Sequence, residues 1–407
     1  MSKLMEKLDT LEYTELPGAW LYGVKPAAFR YSGCAENAPA ALNTAVENAR
    51  SNGCDSLRLV ADAQCSASLP AMRPAGECSE GILLEMPLTD DCALLPMKMH
   101  PAYRHGEMTP WGGDQLRRVF GKEIPDERTG EALELSVIPG LESVTDNGEG
   151  LHKLIAREGE RLTGLSPDNP FPLLLKLLAA KGSLSVQVHP DDEYAGIHEG
   201  KLGKTEAWVI LEADDNASIL YGMKEGVSIE ELEKGLLSGE DIEPLIARVP
   251  VKPGDVFFMP AGMVHAIGGG ILLYEIQQSS DVTYRLWDFN RVNDKGEKRP
   301  LHIRQSLDVI RPELKGQQAV MPTALDNTLT PLLRVPAFAL DCAAIDGEIA
   351  LPEKNFFRIL TALDDMQLCW EGASIRLNPG ETAFIPAKAP ALTLRGKGRA
   401  LISAEKA

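Results

Sequence analysis

PGDVFFMPAGMVH at residues 253–265 has a second copy in the same chain, PGETAFIPAKAPA at residues 379–391. Each copy contains Pro-Gly followed by an acidic residue, a mostly apolar run and then Pro-Ala, which predicts a turn, a short strand and a second turn. The first copy ends on His265, whereas the second ends on Ala391. Because internal repeats indicate duplicated architecture, the sequence predicts two related β-domains, only one of which carries the histidine.

The segments around the first copy also have the composition of short strands separated by turns. GSLSVQVHP (182–190), TEAWVILEA (205–213) and GILLYEIQQ (270–278) are short β-prone runs with turn-forming or polar residues at their ends. Strands of this length with closely spaced turns predict an antiparallel sandwich or barrel. A capping serine, i to i+4 charges and a Leu/Ile stripe predict a helical insert over residues 228–249. Residues 302–310 predict a further helix.

These patterns divide the chain into three predicted parts. Residues 91–319 form a catalytic domain that contains the helical insert. Strand-like runs resume after a Pro-containing stretch and predict a smaller β-domain over residues 320–407. Residues 1–90 combine a capped, Ala-rich helix over 36–53 with strand-like runs. The predicted fold class is therefore mainly β, with a small α/β N-terminal extension.

Composition limits the classes of function. The chain has 407 residues and a formal net charge of −18, which argues against a protein that binds the phosphate backbone of nucleic acids. The N-terminus is charged and lacks the apolar core of a signal peptide. No segment approaches the roughly 18 apolar residues that a membrane span needs. We therefore expect a cytoplasmic protein with reduced cysteines that binds neither nucleic acid nor membrane.

His265 has candidate partners on two other predicted strands. Gln187 and His189 are two residues apart, so their side chains point to the same face of a strand. Glu206 lies at the start of the next predicted strand. Two imidazoles, a carboxylate and an amide oxygen form a ligand set for Zn²⁺ or another divalent metal. If a barrel brings these strands together, the sequence predicts one metal ion per chain at Gln187, His189, Glu206 and His265.

The spacing Gly254-x5-Pro260-x-Gly262-x2-His265 resembles the second conserved motif of the cupin superfamily, whose members are double-stranded β-helix jelly rolls. QVHPDD, GKTEAW, PAGMVHAIGGG and EIQQSSDVTYRLWDFNR together resemble type I phosphomannose isomerases in their short bacterial form, over roughly residues 91–407. The resemblance implies two cupin domains, of which the second is degenerate and has no metal ligands. It also implies zinc at the four ligands and interconversion of mannose 6-phosphate and fructose 6-phosphate.

The same resemblance assigns further positions. It implies that the catalytic residues are Arg285, Glu275 and Lys204, and that the contacts to the sugar phosphate are Ser185, Asp281 and Arg291. Aldose–ketose isomerisation moves a proton between C1 and C2 through a cis-enediol(ate), so it needs an acid/base group and a fixed positive charge. Glu275 and Lys204 are both candidates for the proton transfer, and the sequence leaves the choice between them open.

Two alternatives stay open at this level. The family's Gly-Glu-Ser-Trp phrase is replaced here by GEAL at residues 130–133. This difference favours an isomerase or epimerase of another sugar phosphate if Leu133 lines the pocket. A non-catalytic, sugar-binding cupin is the alternative of a different class. Binding alone does not need Lys204, Glu275 and Arg285 beside the metal ligands, which argues against that alternative.

Overall fold

The computed structural model describes residues 94–405 except 294 and 372, together with five strands of the N-terminal extension. These strands are β1 (Tyr13–Glu15), β2 (Pro26–Tyr31), β3 (Ser56–Ala61), β4 (Arg73–Cys78) and β5 (Gly81–Pro87). They form one sheet in the order β1-β2-β3-β5-β4, in which only the described pair β2–β3 is parallel. Strands β3 and β5 agree with the predicted strand-like runs DSLRLVAD and GILLEMPL, whereas β1, β2 and β4 were not predicted. The helix predicted over 36–53 lies outside the described residues.

The predicted catalytic domain consists mainly of short strands connected by turns and a few helices. Its strands are β6 (Met97–His100), β7 (Ala102–Arg104), β8 (Glu131–Leu135), β9 (Val144–Thr145), β10 (Leu173–Ala180), β11 (Val186–Val188), β12 (Glu206–Ala213), β13 (Ser218–Met223), β14 (Ile246–Pro250), β15 (Asp255–Met259), β16 (His265–Ile267), β17 (Ile271–Gln278), β18 (Tyr284–Trp287) and β19 (Gln318–Val320). Its α-helices, within the described residues, are α1 (Gln115–Phe120), α2 (Leu151–Glu158), α3 (Glu160–Thr163), α4 (Asp192–His198), α5 (Ile229–Ser238) and α6 (Ile303–Val309).

Two sheets of the catalytic region face each other. The first, which we call the central sheet, has the order β19-β15-β12-β17-β10-β8-β7, and the second, the outer sheet, has the order β14-β13-β16-β11-β18. The strand pairs in both sheets are antiparallel. Apolar side chains from both sheets, including Trp208, Leu273 and Ile219, form one shared core. The structure therefore confirms the mainly β prediction and the antiparallel sandwich.

The central sheet is buried on both of its faces. Alternate residues of β10, such as Leu175 and Leu177, pack into a second core that includes Phe338 and Phe384 from the C-terminal part of the chain. A strand covered on both sides needs apolar residues at nearly every position, which explains the run LLLKLLAA over 173–180. Lys176 is the polar residue in this run, and it lies on the face that points to the outer sheet, where the candidate site is found.

The helical insert is shorter than predicted. Helix α5 begins after Ser228, which forms a capping box with Glu231, and it ends at Gly239, whose φ of 73° is left-handed. Gly is favoured at this position because it has no Cβ to clash. Strand β14 then occupies residues 246–250, so the helix prediction over 228–249 was wrong beyond residue 238. Helix α6 confirms the prediction over residues 302–310.

The C-terminal part is also a β-structure. Its strands are β20 (Thr328–Val335), β21 (Phe338–Leu351), β22 (Arg358–Ala362), β23 (Met366–Trp370), β24 (Ala373–Leu377), β25 (Thr382–Ile385) and β26 (Leu392–Ala404). They form a sheet in the order β20-β21-β26-β22-β25-β6-β9, in which β23 also pairs with β26 and β24. Because β6 and β9 join this sheet, the chain from the first domain contributes to the second; the boundaries at 90/91 and 319/320 stay predictions.

None of the helices that the structure describes is long and apolar enough to cross a membrane.

Candidate metal centre and active-site cavity

Two histidines of the candidate metal centre are held in the orientation that a metal ligand needs. Gln187 on β11 and His265 on β16 are paired directly across the two strands. His189 follows β11, and its Nδ1 donates to the carbonyl of Val282 over 3.0 Å. His265 Nδ1 donates to the carbonyl of Met263 over 2.9 Å. Because each Nδ1 carries its proton toward a carbonyl, each Nε2 is left as a lone pair toward the same interior point.

Glu206 completes this group from the central sheet. Its Oε1 lies 3.1 Å from His265 Nε2, and its Oε2 lies 3.5 Å from His189 Nε2. The ligand atoms of these three residues lie within 4.8 Å of one another. Gln187 Nε2 lies 3.4 Å from His265 Nε2, so the amide is adjacent as well. The sequence-predicted ligands are therefore brought together from three strands.

The residues of this group fit a divalent metal ion. Glu206 is fully buried, and Lys204 is the one lysine or arginine among the described residues that pairs with it, on Oε2. Its Oε1 faces the Nε2 lone pair of His265 and accepts no hydrogen bond. Such a carboxylate is costly to bury unless a cation balances it. A carboxylate, two neutral imidazoles and an amide are typical ligands of zinc and related ions. Gln187, His189, Glu206 and His265 would hold the ion.

The electrostatics of the group favour deprotonated ligands. Burial alone would raise the pKa of Glu206, but the charge of Lys204, with smaller contributions from His189 and His265, outweighs it and holds this pKa well below its usual range. Burial and the charge of Lys204 hold the pKa of His189 well below its usual value. An ionised carboxylate and a neutral imidazole are the forms that bind metal ions.

Lys204 lies directly against this group. Its Nζ is 2.9 Å from Glu206 Oε2 and 3.0 Å from His189 Nε2, and the side chain is buried. Lys204 and Glu206 are two residues apart and both reach the same interior point, as expected from the alternation of side chains along a strand.

A buried array of charges lies beside the metal-ligand group on the central sheet. Lys176 on β10, Glu275 on β17 and Trp208 on β12 face one another across adjacent strands. Lys176 Nζ lies 2.7 Å from Glu275 Oε2, and Trp208 Nε1 donates to Glu275 Oε1 over 3.0 Å. On its other side Lys176 lies 3.7 Å from Glu131, which also pairs with Arg104 at 3.2 Å. We call these four ionisable residues, Arg104, Glu131, Lys176 and Glu275, the charged array.

A group of arginines lies at the β18 end of the cavity. Arg285 is paired with Gln187 across β11 and β18, and its Nε donates to Ser185 Oγ over 3.3 Å. Its Nη1 donates to the carbonyl of Pro300 over 3.0 Å. Pro300 follows Arg299 in the chain, and both arginines line the same cavity. Burial and the charge of Arg299 lower the pKa of Arg285.

A cavity of about 280 Å³ lies between the charged array and the arginines, and of the candidate metal ligands Gln187 lines it. The predicted site residues that line it are Ser185, Gln187, Lys204, Glu275, Asp281 and Arg285. Asp281 forms an ion pair of 2.6 Å with Lys201 at the exposed side. Arg291 is not part of the lining, since its guanidinium is bonded to Asp288 and to the carbonyl of Ser183. The expectation that Arg291 contacts the sugar phosphate directly does not agree with this position.

The structure adds wall residues that sequence reasoning missed. They are Arg104, Glu131, Lys176 and Arg299. Lys176 had a usable signal, because a lysine inside the apolar run LLLKLLAA must have a buried partner. No spacing in the sequence connects the other three to the site. Leu133, by contrast, is fully buried and lies outside the lining, so residue 133 lends no support to a different sugar phosphate.

Comparison with known proteins gives consistent similarities. The family model of the phosphomannose isomerase type I catalytic domain matches residues 97–216. The mannose-6-phosphate isomerase of Streptococcus mutans is 51% identical over 260 residues, which cover 62% of this chain and 81% of that protein. The crystal structure of the mannose 6-phosphate isomerase from Bacillus subtilis has a TM-score of 0.69 and 33% identity, and covers 76% of this chain and 99% of that one. A zinc-bound structure of mannose 6-phosphate isomerase shares the fold, with a TM-score of 0.61, 17% identity and coverage of 77% and 100%.

Proposed function

Because this chain belongs to the type I phosphomannose isomerase family, we propose that it interconverts mannose 6-phosphate and fructose 6-phosphate with one zinc ion per chain. One observation carries the proposal: a single cavity joins Gln187, Lys204 and Glu275 to Arg285 and Ser185. The named relatives support the substrate, and the zinc-bound structure of the same fold supports the metal. A binding protein would not need a buried lysine and a buried carboxylate beside the metal ligands.

The proposed reaction transfers a proton between C1 and C2 of the sugar by way of a cis-enediol(ate). A bound zinc ion supplies positive charge next to the sugar oxygens, where negative charge develops. Lys204 and Glu275 are the candidates for carrying the proton, because both are buried and line the cavity. Trp208 and Lys176 each hold one oxygen of Glu275, so this carboxylate is fixed in orientation before the substrate binds.

The other end of the substrate needs a site for an anion. Arg285 offers a guanidinium that remains charged at any working pH, and Ser185 offers a hydroxyl within hydrogen-bond distance of it. We propose that these two residues bind the phosphate, and that Asp281 at the exposed side contacts sugar hydroxyls. The substrate would then lie with C1 and C2 toward Gln187 and Glu275.

The proposal is tested with purified protein assayed after chelation and after zinc is restored, on a panel of aldose phosphates with fructose 6-phosphate detection. We expect turnover of mannose 6-phosphate that depends on zinc. His265→Ala should lose both the bound zinc and the activity. His100→Ala is a matched control, since His100 pairs with Asp146 at 2.7 Å away from the cavity. Activity that persists without metal, or turnover of a different aldose phosphate only, would contradict the proposal.

The enediol route has its own test. If the proton is carried by a side chain that exchanges with solvent, fructose 6-phosphate formed in D₂O gains deuterium at C1. A hydride shift would transfer the substrate hydrogen without any exchange. Product that contains no solvent deuterium, even after long equilibration, would exclude the proposed route and leave the substrate assignment intact.

A further inference from the structure

The arginine end of the cavity carries an excess of positive charge. Two guanidiniums, those of Arg291 and Arg299, bond to the single carboxylate of Asp288. The Arg285 guanidinium bonds to the carbonyl of Pro300, next to Arg299 in the chain, and has no carboxylate partner among the described residues. Three positive charges against one negative charge leave two uncompensated. Positive charges that lie close together repel one another and destabilise the fold. A bound anion would offset this repulsion.

Asp288 organises this group. It is buried, and it accepts from Arg299 through two parallel contacts, Nε to Oδ2 at 2.8 Å and Nη2 to Oδ1 at 2.5 Å. A bidentate contact of this kind fixes the plane of the guanidinium. Arg291 also donates to Asp288 Oδ1, at 2.5 Å, and to the carbonyl of Ser183 at 2.5 Å. Arg291 therefore connects Asp288 to the segment that carries Ser185.

Arg285 and Arg299 keep donors that point to no protein acceptor. Both side chains line the cavity. Asp288 occupies Nε and Nη2 of Arg299, while Ser185 and the Pro300 carbonyl occupy Nε and Nη1 of Arg285. Within the described residues no carboxylate forms an ion pair with Arg285, and neither Nη1 of Arg299 nor Nη2 of Arg285 has a hydrogen-bond acceptor. These nitrogens are available to a ligand.

The opposite wall has a different charge balance. In the charged array two cations, Arg104 and Lys176, are matched by two carboxylates, Glu131 and Glu275. The cavity is therefore balanced at this wall and positive at the arginine end. A phosphate monoester carries a charge of about −1.5 to −2 at pH 7, which matches the two uncompensated charges. A bound anion would thus lie at the arginine end.

We propose that Arg299, positioned by Asp288, is a second phosphate-binding guanidinium beside Arg285 and determines the preference for phosphorylated over unphosphorylated sugars. The proposal rests on the proposed function for the identity of the ligand as a sugar phosphate. In this arrangement Arg299 contacts the phosphate, and Asp288 positions the Arg299 guanidinium. Arg291 holds Asp288 in place through its hydrogen bond to Oδ1.

The test measures binding of an unreactive phosphate ester to the zinc-loaded protein. Sorbitol 6-phosphate and unphosphorylated sorbitol are titrated by calorimetry at fixed ionic strength. Arg299→Gln should weaken binding of sorbitol 6-phosphate roughly 10- to 100-fold, the effect of losing a hydrogen bond to a charged group, without changing sorbitol binding or zinc content. Arg299→Lys keeps the charge but loses the two-point contact with Asp288, so we expect a smaller loss.

A matched control separates this local effect from net charge. Arg376→Gln makes the same charge change at an exposed arginine of the C-terminal sheet, which pairs with Asp365 at 3.5 Å, and it should bind sorbitol 6-phosphate as the unmodified protein does. Wild-type affinity in both Arg299→Gln and Arg299→Lys would overturn the proposal. An equal loss in Arg376→Gln would overturn it as well, because the effect would then come from net charge.

The positioning role of Asp288 is tested by a separate set of binding titrations. Asp288→Asn should lower the affinity for sorbitol 6-phosphate as Arg299→Gln does, and the double variant should lose little more, because both changes remove the same oriented group. Independent, additive losses would refute the positioning role. None of these titrations depends on turnover, so an inactive protein would contradict the proposed function alone, whereas unchanged phosphate affinity in the Arg299 variants would contradict this inference alone.

Discussion

The replacement Lys176→Met tests how the charged array is held in the fold. Lys176 is 4% exposed and lies between two carboxylates, Glu275 at 2.7 Å and Glu131 at 3.7 Å. Burial alone would lower the pKa of Lys176, but these carboxylates outweigh it and raise the pKa. Methionine has a similar shape without the charge, so the change removes the cation and creates little empty space.

The expected loss follows from the partners that remain. Removing one member of a buried ion pair leaves an uncompensated charge and costs about 3–5 kcal/mol. Glu131 keeps Arg104 at 3.2 Å, so most of the loss comes from Glu275, whose other oxygen accepts a hydrogen bond from Trp208 Nε1. For a domain of this size each kcal/mol lowers the thermal midpoint by about 2–4 °C. Lys176→Met should therefore unfold roughly 6–20 °C below the unmodified protein.

The loss should depend on pH in a defined direction. Burial alone would raise the pKa of Glu131, but Lys176 and Arg104 outweigh it and lower the pKa. A carboxyl with a depressed folded-state pKa stabilises the fold above its unfolded pKa, and this contribution is lost as the pH falls through the folded pKa. In the variant Glu131 has lost one of the two cations that lower its pKa, so this carboxyl protonates at a higher pH and relieves part of the unpaired charge. The difference in thermal midpoint should be largest near pH 7 and should shrink as the pH falls toward and below 4.5, the ordinary pKa of a glutamate.

The assay is scanning calorimetry of the metal-free proteins over a pH series, so that loss of metal does not enter the comparison. The double variant Lys176→Met/Glu275→Gln removes both charges and should recover about half of the lost stability or more, since coupled partners are not additive. It should remain inactive, which separates stability from chemistry. A single variant whose midpoint equals that of the unmodified protein, or a double variant whose losses simply add, would refute the reasoning.

Three further predictions concern the ligands and the turns. Glu206→Gln removes the only carboxylate of the candidate ligand set and should lower zinc stoichiometry, measured by metal analysis after gel filtration, far below one per chain. Gly262→Ala forces a left-handed residue and brings a Cβ within 2.9 Å of Arg311 Cγ, so it should cost about 1–3 kcal/mol and weaken zinc binding. Gly254→Ala is its control, because this left-handed glycine has open space around it and should lower the thermal midpoint without changing zinc affinity. Ser228→Ala removes the cap of α5 and should cost about 1 kcal/mol, seen as a lower midpoint with unchanged activity.

The ligand set could be predicted from the sequence because it depends on local regularities. The two-residue spacing of Gln187 and His189 fixes a shared face, and the turn before His265 fixes where the next strand begins. The length of helix α5 was missed because the pattern of its charges continues past Gly239, which ends the helix. Asp288 and Arg299 were missed for a different reason. Their contact joins residues on either side of a loop, and no period or motif predicts which of several arginines a buried carboxylate selects.

The two sequence copies, residues 253–265 and 379–391, form their first turn with the same hydrogen bond. In the first copy the Asp255 carboxylate accepts from the backbone three residues earlier over 3.0 Å, and Glu381 does the same in the second copy over 2.7 Å. The residues that follow Pro-Ala differ in what their backbone contacts. Gly262 donates to the carbonyl of His189 over 2.8 Å, whereas Lys388 donates to Arg161 in α3 over 3.3 Å.

The hydrogen bond of Gly262 connects this turn to the candidate metal ligands. Through its N–H, Gly262 joins the turn before His265 to the carbonyl of His189, directly after β11, so this contact links the two backbone segments that carry the imidazoles. At a φ of 88° and with the Val309 carbonyl 2.9 Å from a would-be Cβ, this position excludes other side chains. The second copy has Lys388 there and Ala391 in place of the histidine. Restoring a histidine at 391 alone would therefore supply one imidazole at a turn that docks on a helix, with no second ligand strand tied to it, and we expect Ala391→His to bind no additional zinc by metal analysis.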